Sequence, residues 1–159
     1  MEILPHPPEV AAKRLLSDAK LPAVDITAEQ LIHFFGCWSE EELVGVIGLE
    51  FYGNVALLRS LVVAPSRQGW GFGPALVAHA EEYAATHGVR AIYLLTTTAE
   101  EYFKLLGYSR ARREEAPAAI RGTEEFAHLC PISSAFMVKY ITANHSVNTD
   151  TADEAARAG

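Results

Sequence analysis

The stretch Leu57-Leu58-Arg59-Ser60-Leu61-Val62-Val63-Ala64-Pro65-Ser66-Arg67-Gln68-Gly69-Trp70-Gly71-Phe72-Gly73-Pro74 changes character twice. Its apolar, β-branched opening predicts a buried strand that Pro65 stops. Glycines then fall at alternate positions, 69, 71 and 73, and a helical pattern begins after them. A turn of this kind sets several backbone N–H groups at a helix N-terminus, where they can hydrogen-bond an anionic phosphate. Glycine suits it because a Cβ would block close approach and disfavour positive φ. The stretch therefore predicts a pyrophosphate cradle built mainly of backbone, with a plain strand-to-helix turn as the alternative. It is neither the G-x-G-x-x-G dinucleotide fingerprint nor a P-loop, since no Gly-Lys-Ser/Thr ending follows.

Downstream, Leu76, Ala80, Tyr83, Ala84 and His87 form one helical stripe with Glu81 and Glu82 facing away, and Gly88 closes the helix. Val89 to Leu95 is a nearly continuous apolar run, as in a strand covered on both faces. Strand, turn, helix and strand make one βαβ crossover, so the two strands should be parallel. Upstream, Leu31–Trp38 and Leu43–Tyr52 read as strands joined by the polar Ser39–Glu42 turn, and Gly53-Asn54 leads into the organising strand. In the second run, Leu43, Ile47, Leu49 and Phe51 should share one face and Val44, Val46 and Glu50 the other. Glu9 to Lys20 predicts an amphipathic helix, and Thr27 to Gln30 a capped turn.

Beyond the crossover, Thr96–Thr98 opens a helix over Ala99–Leu106, with Tyr102, Phe103, Leu105 and Leu106 inward and Gly107 ending it. Tyr108–Arg113 and Phe136–Ile141 read as the last strands, and Pro117–Pro131 as a loop with a short helix near Thr123–His128. Residues 142–159 have no apolar periodicity and should be mobile, with a terminal turn over Ala152–Ala158. The expected architecture is a single mixed α/β (α+β) domain over residues 1–141. Its sheet is largely antiparallel, with a central parallel strand pair flanked by helices.

Half of the 159 residues are hydrophobic, which suits one core. A formal charge of −7 argues against a nucleic-acid groove. Two cysteines, Cys37 and Cys130, are too few for a disulfide framework or a structural zinc site. No metal is expected, and the thiols suit a cytoplasmic protein. Met1 to Pro8 lacks the pattern of a signal peptide, and no apolar run reaches membrane-spanning length.

Gln68-x-x-Gly71-x-Gly73 after Val-Val-Ala-Pro resembles the acyl-CoA-binding motif of the GNAT N-acetyltransferases. The order of elements down to Phe103-Lys-Leu-Leu-Gly107-Tyr108 extends the resemblance over roughly residues 9 to 140. Leu57–Val63, Tyr93–Thr98, Pro117–Thr123 and Leu129-Cys-Pro131 look like the arsenic-resistance-associated branch. The resemblance implies the GNAT fold, acetyl-CoA as cofactor, a small-molecule amine as substrate, and compatibility with a homodimer. It implies that Leu61, Val62 and Val63 line the pantetheine arm, chiefly through backbone groups. Gln68, Gly69, Trp70, Gly71, Phe72 and Gly73 would hold the pyrophosphate, with Thr97 and Phe103 flanking the thioester.

Many members of that family carry a tyrosine where this chain has Phe103, as the acid for the coenzyme A sulfur. Tyr102 is adjacent but turned by about 100° on a helix; it is either the acid or a packing residue. Glu50, on an otherwise apolar strand, is the candidate base, with a surface or ion-paired role as the alternative. Arg59, with Ser60 beside it as a further substrate-binding candidate, either grips an acceptor's carboxylate in bidentate fashion or pairs with Glu50 across neighbouring strands. Arg121, in the loop over the acceptor side, could hold the same carboxylate. Trp70 reads as a cap over the turn, and Cys130-Pro131 as a loop anchor. The expected reaction is acetyl transfer to an amino-acid-like amine, including arsinothricin- or phosphinothricin-type compounds. Protein or peptide N-acetylation, an inactive acyl-CoA-binding module and a nucleotide-phosphate binder are the rivals.

Overall fold

The computed structural model describes residues 1–142, so the expected terminal turn over Ala152–Ala158 lies outside the described residues. Seven strands, β1 (Glu2–Pro5), β2 (Phe34–Ser39), β3 (Glu42–Tyr52), β4 (Val55–Val63), β5 (Ala91–Thr96), β6 (Ser109–Arg110) and β7 (Ala135–Tyr140), form one sheet. Their order is β1-β2-β3-β4-β5-β7-β6. The β4–β5 pair is parallel and the other pairs are antiparallel, as the crossover pattern requires. The helices are α1 (Glu9–Asp18), α2 (Phe72–Thr86), α3 (Glu100–Leu105) and the single turn α4 (Ala118–Arg121). None among the described residues is long and apolar enough to cross a membrane.

The sheet separates two unlike layers. On one face α2 lays Leu76, Val77, Ala80 and Ala84 against Ile47, Leu49, Leu58, Ile92 and Leu94, one continuous core. A fully buried side chain such as Leu76 contributes about 1.5–3 kcal/mol. The opposite face carries two clusters. One gathers Ala12 and Leu16 of α1 with Ile26, Leu31, Phe34, Val46 and Val62. The other joins Leu57, Tyr93, Phe136 and Val138 to Ile120.

Several expected details give way. Leu31 to His33 belongs to a 3-10 turn that precedes β2; Thr27 and Gln30 cap it reciprocally, at 3.0 and 3.3 Å. In β3 the register jumps from Cys37↔Gly45 to Trp38↔Leu43, leaving Val44 bulged out of the pairing. The extra residue flips the pleat. Leu43 therefore joins Val46 on the α1 face, and Val44 joins Ile47 and Leu49 under α2. Leu105, expected inward, is 87% exposed, because the short α3 turns only Tyr102 and Phe103 toward the core. Past Tyr108 only Ser109 and Arg110 pair with β7. The loop after them holds α4 and a π-helical turn, Glu125–Leu129.

Candidate active site

β4 and β5 are paired at three positions, Val55↔Ala91, Ala56↔Ile92 and Leu57↔Tyr93, and then part. A bulge on β4 accompanies the parting. Against β3 the register passes from Gly48↔Arg59 to Val46↔Val62, so Ser60 and Leu61 stand opposite the single residue Ile47. Ser60 takes φ +63°, which a non-glycine residue seldom adopts. Bulges bend and twist a strand, and here the bend leaves the β5-facing edge of β4 beyond Leu57 without ladder partners. An extended ligand arm can use such an edge as a partner strand does.

The open edge leads directly into the glycine turn. Gln68 Nε2 donates to the Val63 carbonyl at 3.1 Å and ties the turn to the strand end. Gly69 and Gly71 both take φ +86°, and Gly71 is the N-cap of α2. The first amides of a helix have no intrahelical acceptor, so Phe72 and Gly73 offer N–H groups at the positive end of the helix dipole. Gly73 differs from its neighbours. A Cβ there would meet the Tyr102 hydroxyl and displace that side chain.

That contact places Tyr102. Its hydroxyl lies over the first turn of α2 and has no hydrogen-bond partner among the described residues. Burial raises its pKa, so it stays protonated at neutral pH. Phe103 offers little surface to a ligand. It is buried in the core, edge-on to Tyr102 and Tyr108 at 5.3 and 5.7 Å. Thr97 is exposed just beyond the end of β5, while Thr96 Oγ1 accepts the Ala99 N–H at 3.0 Å in the turn that leads into α3. Leu61 and Val63 pack toward α2 and Val62 toward α1.

On the opposite face, Arg59 is enclosed by three carboxylates. Its guanidinium binds Asp25 in bidentate fashion, with Nη2–Oδ1 at 2.7 Å. It reaches Glu50 Oε2 at 2.7 Å and Glu125 Oε2 at 3.3 Å, while Nε donates to Ser60 Oγ at 3.0 Å. The Arg59 side chain has no exposed surface, so the fork expected to grip an acceptor's carboxylate grips the protein's own. The cross-strand pair with Glu50 is the arrangement present. Glu50 also accepts from the Tyr52 hydroxyl at 2.6 Å, so both of its oxygens are engaged. Burial, reinforced by Asp25 and Glu50 and opposed by Arg59, pushes the Glu125 carboxyl up to about 7. Burial and Glu125 push the neighbouring Cys130 thiol up to about 12, which keeps it unreactive. Arg121 donates Nε to the Ala116 carbonyl at 3.1 Å and is exposed. Asp25 and Glu125 escaped the sequence reading. Only the fold brings them to Arg59.

The sequence profile of the Acetyltransferase (GNAT) family matches residues 3–108. An uncharacterized N-acetyltransferase of Chlorobaculum tepidum is 29% identical over 99 residues, 62% of this chain and 63% of that protein. An amino-acid acetyltransferase of Ralstonia nicotianae is 35% identical over 64 residues, 40% of this chain but 14% of that much longer protein. Among solved structures, N-acetylglutamate synthase from Neisseria gonorrhoeae, complexed with coenzyme A and L-arginine, superposes with a TM-score of 0.76. That match has 20% identity over 88% of this chain and 33% of the other. The chain thus spans under two thirds of the relatives it matches, while the profile spans most of the chain from β1 to the end of α3. With its parted parallel pair and glycine turn, the chain belongs to the acetyltransferase (GNAT) family, whose acyl donor is acetyl-CoA.

Proposed function

We propose that this chain transfers an acetyl group from acetyl-CoA to the amine of a small, amino-acid-like acceptor. The carrying observation is the edge of β4 that parts from β5 and runs straight into the positive-φ glycine turn. The pantetheine arm pairs with the backbone of Leu61 and Val63, and the diphosphate rests on the amides from Gly69 to Gly73. A neutral amine nitrogen attacks the thioester carbonyl carbon. The C–N bond forms, the C–S bond breaks, and Tyr102 gives its hydroxyl proton to the departing thiolate. Both oxygens of Glu50 are held by Tyr52 and Arg59, so the amine gives its proton to water and Tyr102 is reprotonated from solvent; the net products are the acetamide and the free thiol. No covalent enzyme intermediate is needed, and much of the acceleration comes from positioning.

The amino-acid acetyltransferase relative favours an amino-acid-like acceptor. With Arg59 internally paired, the exposed Arg121 is the candidate cation for an acceptor's carboxylate. Arsinothricin- and phosphinothricin-type compounds fit this class and belong in the acceptor panel beside free amino acids and peptides. Thiol release from acetyl-CoA, followed across that panel, should depend on an amino-acid-like acceptor. Tight coenzyme binding with no acceptor-dependent thiol would leave only a binding module. Preference for a peptide N-terminus would move the acceptor class to protein.

Tyr102→Phe should lower kcat about 10²-fold, the lower end of what a positioned acid contributes. The Kd for acetyl-CoA should stay unchanged in calorimetry. Full activity in that variant would remove Tyr102 from the chemistry.

A further inference from the structure

Trp70 is 62% exposed on the turn between Gly69 and Gly71. Exposure alone does not distinguish it, since Leu105 and Ile132 are more exposed. What distinguishes Trp70 is that its ring is held. Phe72 meets it edge-on at 5.9 Å between centroids, and the Arg67 guanidinium lies 5.1 Å from the ring centroid. Arg67 is itself weakly satisfied. Its Nε is buried with no hydrogen-bond partner among the described residues, and its Nη2 pairs with Glu40 and Glu42 are long, 3.6 and 4.0 Å, to largely exposed carboxylates. Such pairs contribute little, so the cation–π contact is what fixes the guanidinium against the indole.

The held ring stands on the glycine turn itself, and with the diphosphate seated there as proposed, the nucleoside end of the coenzyme extends beside it. A purine there meets a flat aromatic surface, and stacking on an indole needs no hydrogen-bond readout because every base presents a π-face. We propose that Trp70 is the stacking platform for the purine of the coenzyme, with Arg67 as the positioning residue behind it. The inference rests on the acetyl-CoA reading above and adds a contact specific to this chain. It predicts that part of the affinity resides in the nucleotide end, so that 4′-phosphopantetheine binds more weakly than coenzyme A.

The chain has two tryptophans, Trp38 and Trp70. In a Trp38→Phe background, indole emission reports Trp70 alone. Coenzyme A should quench it saturably, and 4′-phosphopantetheine, which lacks the purine, should not. A calorimetric series in the otherwise unaltered chain covers the case in which Trp38→Phe folds poorly. Trp70→Ala should raise the Kd for coenzyme A about tenfold and leave that for 4′-phosphopantetheine unchanged. Trp70→Phe should recover most of the loss, and Arg67→Gln should show a partial loss with weaker quenching. Coenzyme A binding with no quench and no change in Trp70→Ala overturns this inference alone. No binding of coenzyme A to the folded chain overturns both it and the acetyl-transfer reading.

Discussion

Arg59→Met is expected to lower the folding free energy by about 3–5 kcal/mol, the usual cost of removing one partner from a buried ion pair. Here the cost should reach the upper end, because the deletion strands Asp25, Glu50 and Glu125 rather than one carboxylate. Denaturant unfolding at pH 7 measures it. The mechanism makes a second demand, since carboxylates left without a counter-charge prefer to be protonated. The deficit of Arg59→Met should therefore shrink as pH falls toward 5. Adding Glu125→Gln to Arg59→Met should recover part of the loss, a coupling that contact residues show and distant ones do not. A loss under 1 kcal/mol, flat with pH, would mean that Arg59 contributes packing and little else.

The second large effect is the pH dependence of the unsubstituted chain. Glu125 titrates near 4.5 when free and near 7 in the fold. Between those values the folded chain holds a proton that the unfolded chain has released, so stability falls as pH rises through that window. Below pH 4.5 this residue imposes no penalty, and above pH 7 the penalty is complete. At about 1.4 kcal/mol per pKa unit, it amounts to about 3 kcal/mol. Other groups titrate over the same range, so the informative quantity is the stability of the unsubstituted chain minus that of Glu125→Gln. That difference should decline by about 3 kcal/mol from pH 4.5 to 7.5 in chemical denaturation. A difference that does not vary with pH would show that Glu125 is ionised throughout.

What was legible in the sequence was local. The strand into Pro65, the glycine turn, α2 and β5 form one contiguous pattern, and each part carries its own signal: β-branched residues, positive-φ positions, a 3.6-residue stripe and an apolar run. Both bulges were illegible, because a single extra residue leaves no mark on composition. That at Val44 reversed the expected faces of Leu43 and Val44, and that at Ser60 shapes the cleft. β1 escaped because four residues beside prolines make no pattern until β2 stands next to them. In the site, the cradle was readable as a motif, and the Arg59–Glu50 pair as adjacency across strands. Asp25 lies 34 residues from Arg59 in sequence, and Glu125 lies further still. No spacing rule joins them. That Tyr102 reaches the first turn of α2 while Phe103 packs against Tyr108 needed the packing of α3 on α2 to be seen.

The two layers of the sheet are held by different forces. Beneath α2 the apolar contacts are unbroken, whereas across the other face Arg59 and its carboxylates lie at the seam between two separate oily patches. Asp25 adjoins one patch and Glu125 the other, so the segments around them are joined by charge rather than by interlocking shape. Charge tolerates exchange of neighbouring side chains better than a jigsaw does. The segments around Asp25 and Glu125 can thus change their neighbouring side chains while the apolar layer beneath α2 stays as it is.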